Sequence, residues 1–145
     1  MVKDARQTGC VLVIDDDDGV RRLLRTVFSA KELTVLEAES GSDAERRVAE
    51  RRPDAIIIDL HTAETRGLEL LRRLRRRSEL EPVPVVLITP VSAETGQSEA
   101  LEAGADDVVI KPFGVADLQQ RVQRLLDQGR PRLRRTHREP RRLAG

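Results

Sequence analysis

Apolar residues along this chain fall into two alternating patterns. Short continuous runs occur at Cys10–Ile14 (CVLVI), Ala55–Ile58 (AIII), Val83–Ile88 (VPVVLI) and Val108–Ile110 (VVI). They are rich in β-branched residues and lack polar alternation, as strands buried on both faces of a parallel sheet do. A fifth run, Leu33–Leu36 (LTVL), is weaker and suits a sheet edge. Between the runs the period becomes helical. Val20, Leu23, Leu24, Val27 and Phe28 form one stripe at i, i+3, i+4, i+7 and i+8. Ser42-Asp43-Ala44-Glu45 reads as a capping box opening a helix to about Arg51, just ahead of Pro53. Leu68, Leu71 and Leu74 line another helix, and Val115, Leu118, Val122, Leu125 and Leu126 line the last. The stretch Ser92–Ala103 is helical but poor in large apolar residues, so its helix is expected to be the loosest. Strand and helix thus alternate five times, which predicts one doubly wound α/β sheet with right-handed crossovers.

Composition narrows the picture. At 145 residues the chain has room for one domain with a true core. No apolar run approaches the ~18–20 residues of a membrane span, and the start, Val2-Lys3-Asp4-Ala5-Arg6, is polar, so no membrane insertion is expected. Cys10 is the single cysteine, so it forms no intrachain disulfide and no zinc site unaided; a reducing, cytoplasmic setting is expected. Its place at a strand start suits a small buried hydrophobe. The net charge of +1 hides a split. Residues 1–129 carry a net −5, whereas residues 130–145 hold seven arginines against the single acid Glu139. The expected organisation is an extension at 1–9, a folded body at 10–128 and a basic, disordered tail or linker at 129–145. That tail is the one candidate for contact with nucleic acid or anionic lipid. Phe28 and Phe113 are the only aromatics, which argues against base stacking on the body.

Open α/β sheets place their chemistry beyond the carboxyl ends of the strands. There the first strand meets Asp15-Asp16-Asp17-Asp18, the third Asp59, the fourth Thr89 and the fifth Lys111-Pro112. Converging carboxylates repel unless a positive charge joins them, and a hard, oxygen-liganded cation such as Mg²⁺ resolves that. A metal, an ammonium and a hydroxyl around one crevice suit a phosphoryl group. A remaining aspartate can serve as nucleophile and form an acyl phosphate. Asp17 and Asp18, at a helix start, are better explained by capping and the helix dipole. Arg72, Arg73, Arg75, Arg76 and Arg77 share a helix with Leu71 and Leu74 and read as its solvated outer face.

These stretches resemble the receiver domain of bacterial two-component response regulators. The resemblance rests on Val11–Asp16 (VLVIDD), Ile57–Leu60 (IIDL), Gly67–Leu71 (GLELL), Val85–Thr89 (VVLIT) and Ala100–Phe113 (ALEAGADDVVIKPF), and covers roughly residues 10–128. It implies a flavodoxin-like (βα)5 fold, a parallel five-stranded sheet of order 2-1-3-4-5. It implies Asp59 as phospho-acceptor, Asp16 as a direct Mg²⁺ ligand, Asp15 as one acting through water, and the backbone carbonyl of His61 as a further ligand. Thr89 and Lys111 match the hydroxyl and the lysine that contact the phosphoryl group, and Lys111-Pro112 matches a bond that is usually cis. The implied donor is a sensor histidine kinase or a histidine phosphotransfer protein, and the implied output is a switched partner or homodimer surface. Four positions depart from the pattern. Thr62 and Ala63 stand where a Met-Pro pair is usual, Pro90 follows Thr89 where a small residue is usual, and Val108 replaces the switch aromatic. Valine has no ring to swing, so output is expected to run through the loose helix at about Ser92–Ala103.

Other classes fit less well. An aspartate-nucleophile phosphatase needs an acid two residues after the nucleophile, where this chain has His61. A flavin binder needs a phosphate loop after the first strand and an aromatic to stack, and neither is found. A phosphate-independent interaction module, the alternative reading, would not need Asp15, Asp16, Asp59, Thr89 and Lys111 together.

Overall fold

The structure, a computed structural model, describes residues 9–59, 67–89 and 94–131. Its elements run β1 (Cys10–Ile14), α1 (Asp18–Ser29), β2 (Thr34–Ala38), α2 (Gly41–Glu50), β3 (Ala55–Asp59), α3 (Gly67–Arg75), a 3-10 turn (Ser78–Leu80), β4 (Val85–Thr89), α4 (Glu94–Ala103), β5 (Asp107–Ile110) and α5 (Val115–Gln128). The five strands form one parallel sheet in the order β2-β1-β3-β4-β5. This is the flavodoxin-like arrangement that the resemblance implies, with the weak second run at one edge. β1, β3 and β4 are buried along their whole length, and β5, at the other edge, is only half buried.

Alternation along the strands builds a core on each face of the sheet. Leu12, Ile14, Ile56, Ile58, Val85 and Leu87 pack with Ala44 and Val48 of α2, Leu70, Leu71 and Leu74 of α3, and Ala100 and Ala103 of α4. Val11, Val13, Ala55, Ile57, Val86 and Ile88 pack with Leu24 and Phe28 of α1 and Leu118, Val122 and Leu125 of α5. Cys10 is buried in β1 as expected. Among the described residues no helix is long and apolar enough to cross a membrane.

Four local readings are corrected. The cap of α2 is Ser40, not Ser42: its Oγ accepts from the Asp43 amide at 3.1 Å, and Asp43 accepts back from the Glu39 amide at 3.2 Å. The same Ser-x-x-acid pattern therefore acts two residues earlier, and Gly41 opens the helix. The fourth strand begins at Val85, because the Val83 amide closes the preceding turn onto Leu80 and Pro84 has no N–H to enter the ladder. The arginine run on α3 is not a solvated face throughout. Arg73 and Arg77 pair with Glu45 of α2, and Arg75 turns inward to Leu80, Gly104 and Asp106. Finally, Arg130, inside the segment read as tail, is buried and bonded to the body. Residues 132–145 and 1–8 lie outside the described residues, so the remaining expectations for the tail and the extension fall there.

Candidate functional site

Register decides which groups meet at the carboxyl edge. Ile14 pairs with Ile58, so Asp15 and Asp59 stand level on adjacent strands. Asp59 pairs with Ile88, which puts Thr89 one step beyond it. Thr89 pairs with Ile110, so Lys111 stands two steps beyond the level of Asp59. A lysine stem is long enough to reach back, and its Nζ lies 2.5 Å from Asp59 Oδ2. The Lys111 amide also donates to the Thr89 carbonyl at 2.8 Å, which ties the ends of β4 and β5 together. The Lys111–Pro112 peptide is cis, as the resemblance implies.

Among the described residues, Asp15, Asp59 and Thr89 are three of the four buried polar ones, each at most 3% exposed. The Asp15 carboxyl is pushed up to about 7, chiefly because burial strips it of water. The neighbouring Asp59 charge and a hydrogen bond between the two carboxyls push the same way, while the Asp17 amide and Lys111 pull it down. Below about pH 7 the Asp15 carboxyl therefore keeps its proton beside Asp59. Asp17 Oδ1 caps α1 by accepting from the Gly19 and Val20 amides at 2.8 and 3.1 Å, and its own amide donates to Asp15 Oδ1 at 2.9 Å. Asp17 thus caps the helix with its side chain and holds Asp15 with its backbone amide. Asp18 lies in the first turn and pairs with Arg21.

Arg21 is a neighbour that the sequence pattern did not single out. It sits one turn into α1, donates to the Asp15 carbonyl, and pairs with Glu37 of β2 at 3.3 Å. Asp16 is exposed beside Asp15. Val108 is partly buried against the core face shared by α2, α3 and α4. His61, Thr62, Ala63 and Pro90 lie outside the described residues.

Among the described residues no three acidic, histidine or cysteine side chains gather into a metal cage. The donor chemistry still fits a hard cation. Asp15 and Asp59 offer buried carboxylate oxygens beside Lys111, and a divalent ion relieves the repulsion between two ionised carboxylates.

A profile described as the response regulator receiver domain matches residues 11–123. Over 113 residues the chain is 40% identical to the KDP operon transcriptional regulatory protein KdpE of Escherichia coli (strain K12), a match spanning 78% of this chain and 49% of that protein. Over 121 residues it is 36% identical to the phosphate regulon transcriptional regulatory protein PhoB of Rhizobium meliloti (strain 1021), spanning 83% and 53%. The chain therefore spans about half the length of these relatives. Among solved structures, a putative response regulator from Chloroflexus aurantiacus J-10-fl superposes with a TM-score of 0.78 at 30% identity, covering 83% of this chain and 99% of that one. The BeF3-activated N-terminal receiver domain of Klebsiella pneumoniae RstA gives 0.76 at 27% identity, covering 83% and 100%.

Proposed function

The chain belongs to the response regulator receiver domain family of two-component systems, and from that premise we propose that it takes a phosphoryl group onto Asp59. The observation that carries this reading is the buried Asp59 carboxylate, held 2.5 Å from Lys111 and hydrogen-bonded to Asp15. An Asp59 oxygen attacks the phosphorus of a phosphohistidine on a sensor kinase or phosphotransfer protein. The P–N bond breaks, the imidazole leaves with its electron pair, and an acyl phosphate remains on Asp59. The Lys111 ammonium offsets the charge on the phosphoryl oxygens, and the Thr89 hydroxyl donates to one of them. Asp15, Asp16, Asp59 and the His61 carbonyl would hold Mg²⁺, which supplies further charge neutralisation when bound. In this reading Asp16 meets the metal directly and Asp15 through water. The chain is a signalling switch whose phosphotransfer and dephosphorylation are its only chemistry. The names of its relatives support a transcriptional output for the pathway.

The test is intact mass. A small phosphodonor with Mg²⁺ should add one phosphate, more stable to acid than to alkali, and Asp59→Asn should add none. The same adduct on Asp59→Asn would overturn the reading. Chelating the metal should slow the reaction strongly, because the carboxylates then repel the donor.

A further inference from the structure

The amino end of the sheet, opposite the candidate site, holds a second buried cluster of charge. Its centre is Asp106, in the loop between α4 and β5, with a side chain only 3% exposed. Arg75, the last residue of α3, reaches Asp106 Oδ2 at 3.0 Å, and the Val85 amide at the start of β4 donates to the same oxygen at 2.8 Å. Arg130 takes the other oxygen, Oδ1, at 2.9 Å. Its Nη1 donates to the Glu81 carbonyl at 2.6 Å and its Nη2 to the Gly104 carbonyl at 3.4 Å. Arg75 converges on that same Gly104 carbonyl at 3.1 and 3.0 Å. Gly104 has φ +117°, and a Cβ there would fall 2.8 Å from Arg75 Cγ, so the close approach of this carbonyl requires glycine.

Arg130 lies two residues past α5, where a guanidinium with no partner would stay in water, yet it is 4% exposed. Burying it costs desolvation that is offset only while its acceptors stay in place together. Those acceptors come from two loops, the one that leads into β4 and the one between α4 and β5. Gly104 follows directly on Ala103, the last residue of α4, so a shift of that helix end moves both the Gly104 carbonyl and Asp106. Gly129, at φ +80°, turns the chain out of the helix, and Pro131 bars Arg130 from helical backbone.

We propose that Arg130 is an anchor that couples the segment following α5 to the position of α4. The direction in which that segment leaves the body then depends on where α4 sits. Equilibrium coupling runs both ways, so loosening either end must loosen the other. The anchor does not depend on the phosphoryl reading of Asp59, and each can fail alone.

Hydrogen exchange by NMR on the full chain tests it. In the wild type, the Arg130 Nε–H should exchange at least tenfold more slowly than that of a solvated arginine. Arg130→Gln should speed exchange of the Val85, Ala105 and Asp106 amides on the order of tenfold and leave the Asp15 and Lys111 amides unchanged. Arg130→Lys should fall between, because one ammonium replaces a fork that spans three acceptors. Glu99 is exposed on α4, so Glu99→Gly weakens that helix without removing packing, by roughly threefold in opening. It should speed exchange of the Arg130 Nε–H by a similar factor. A free-arginine exchange rate for Arg130 in the wild type would overturn the proposal. So would Glu99→Gly loosening α4 with Arg130 unmoved, or Arg130→Gln accelerating every amide of the sheet equally.

Discussion

The Asp15 carboxyl lies beside that of Asp59 out of water, and it stays protonated up to about pH 7. In an unfolded chain it loses its proton near ~3.9. Between those values the folded state binds more protons than the unfolded one, so this residue makes the fold less stable as pH rises through that window and adds nothing further above it. Thermal melts in chelator from pH 4 to 8 should show the wild type losing ground to Asp15→Asn, with the gap levelling near pH 7. A divalent cation competes with the same proton. Mg²⁺ affinity should therefore climb as pH approaches 7 and then flatten, and titrations of Asp15→Asn should lack that slope.

Among the helices, the caps and the packing of α4 make separate predictions. Ser40 and Ser42 each stand three residues before an acidic residue, and the N-cap of α2 is Ser40, whose hydroxyl accepts from the Asp43 amide. Ser40→Ala should cost ~1 kcal/mol in urea melts, and Ser42→Ala less than about half of that. Asp17→Ala should cost about as much as Ser40→Ala, while the Asp17 amide that donates to Asp15 is retained. Helix α4 buries Ala100 and Ala103, while its Leu101 is 48% exposed. It offers no large side chain to the core among these positions, as the lack of apolar residues in the sequence predicts. Val108 cannot replace that deficit by ring rotation, since valine has one favoured rotamer in most settings. On adding beryllofluoride and Mg²⁺, amide exchange should therefore change most in residues 94–103 and little at Val108. Change confined to β5 would contradict this.

For the whole molecule, the question is where the body ends. Hydrophobic periodicity stops with α5, and an arginine next to proline carries no apolar signal, so the sequence alone draws the boundary at Gly129. Ion pairing with Asp106, 24 residues earlier, carries the body on to Arg130. A chain ending at Pro131 should melt within a degree or two of the full one. A chain ending at Gly129 loses a buried ionic partner while Arg75 still holds Asp106, which corresponds to about 2 kcal/mol and roughly 5–10 °C. Equal melting of the two truncated chains would return the boundary to the end of α5.

Local periodicity determined the five strands, the order of helices between them and the positions of Asp15, Asp59, Thr89 and Lys111 at strand ends. Each of these depends on a pattern two to eight residues long, and backbone geometry reads such patterns directly. Tertiary structure alone decided that Lys111 reaches back two register steps to Asp59, that burial keeps a proton on Asp15, and that Arg75 and Arg130 close on Asp106. In sequence these arginines look like any solvated charge. A charge finds its partner, or loses its water, only where distant segments are packed together, and no local pattern encodes that distance.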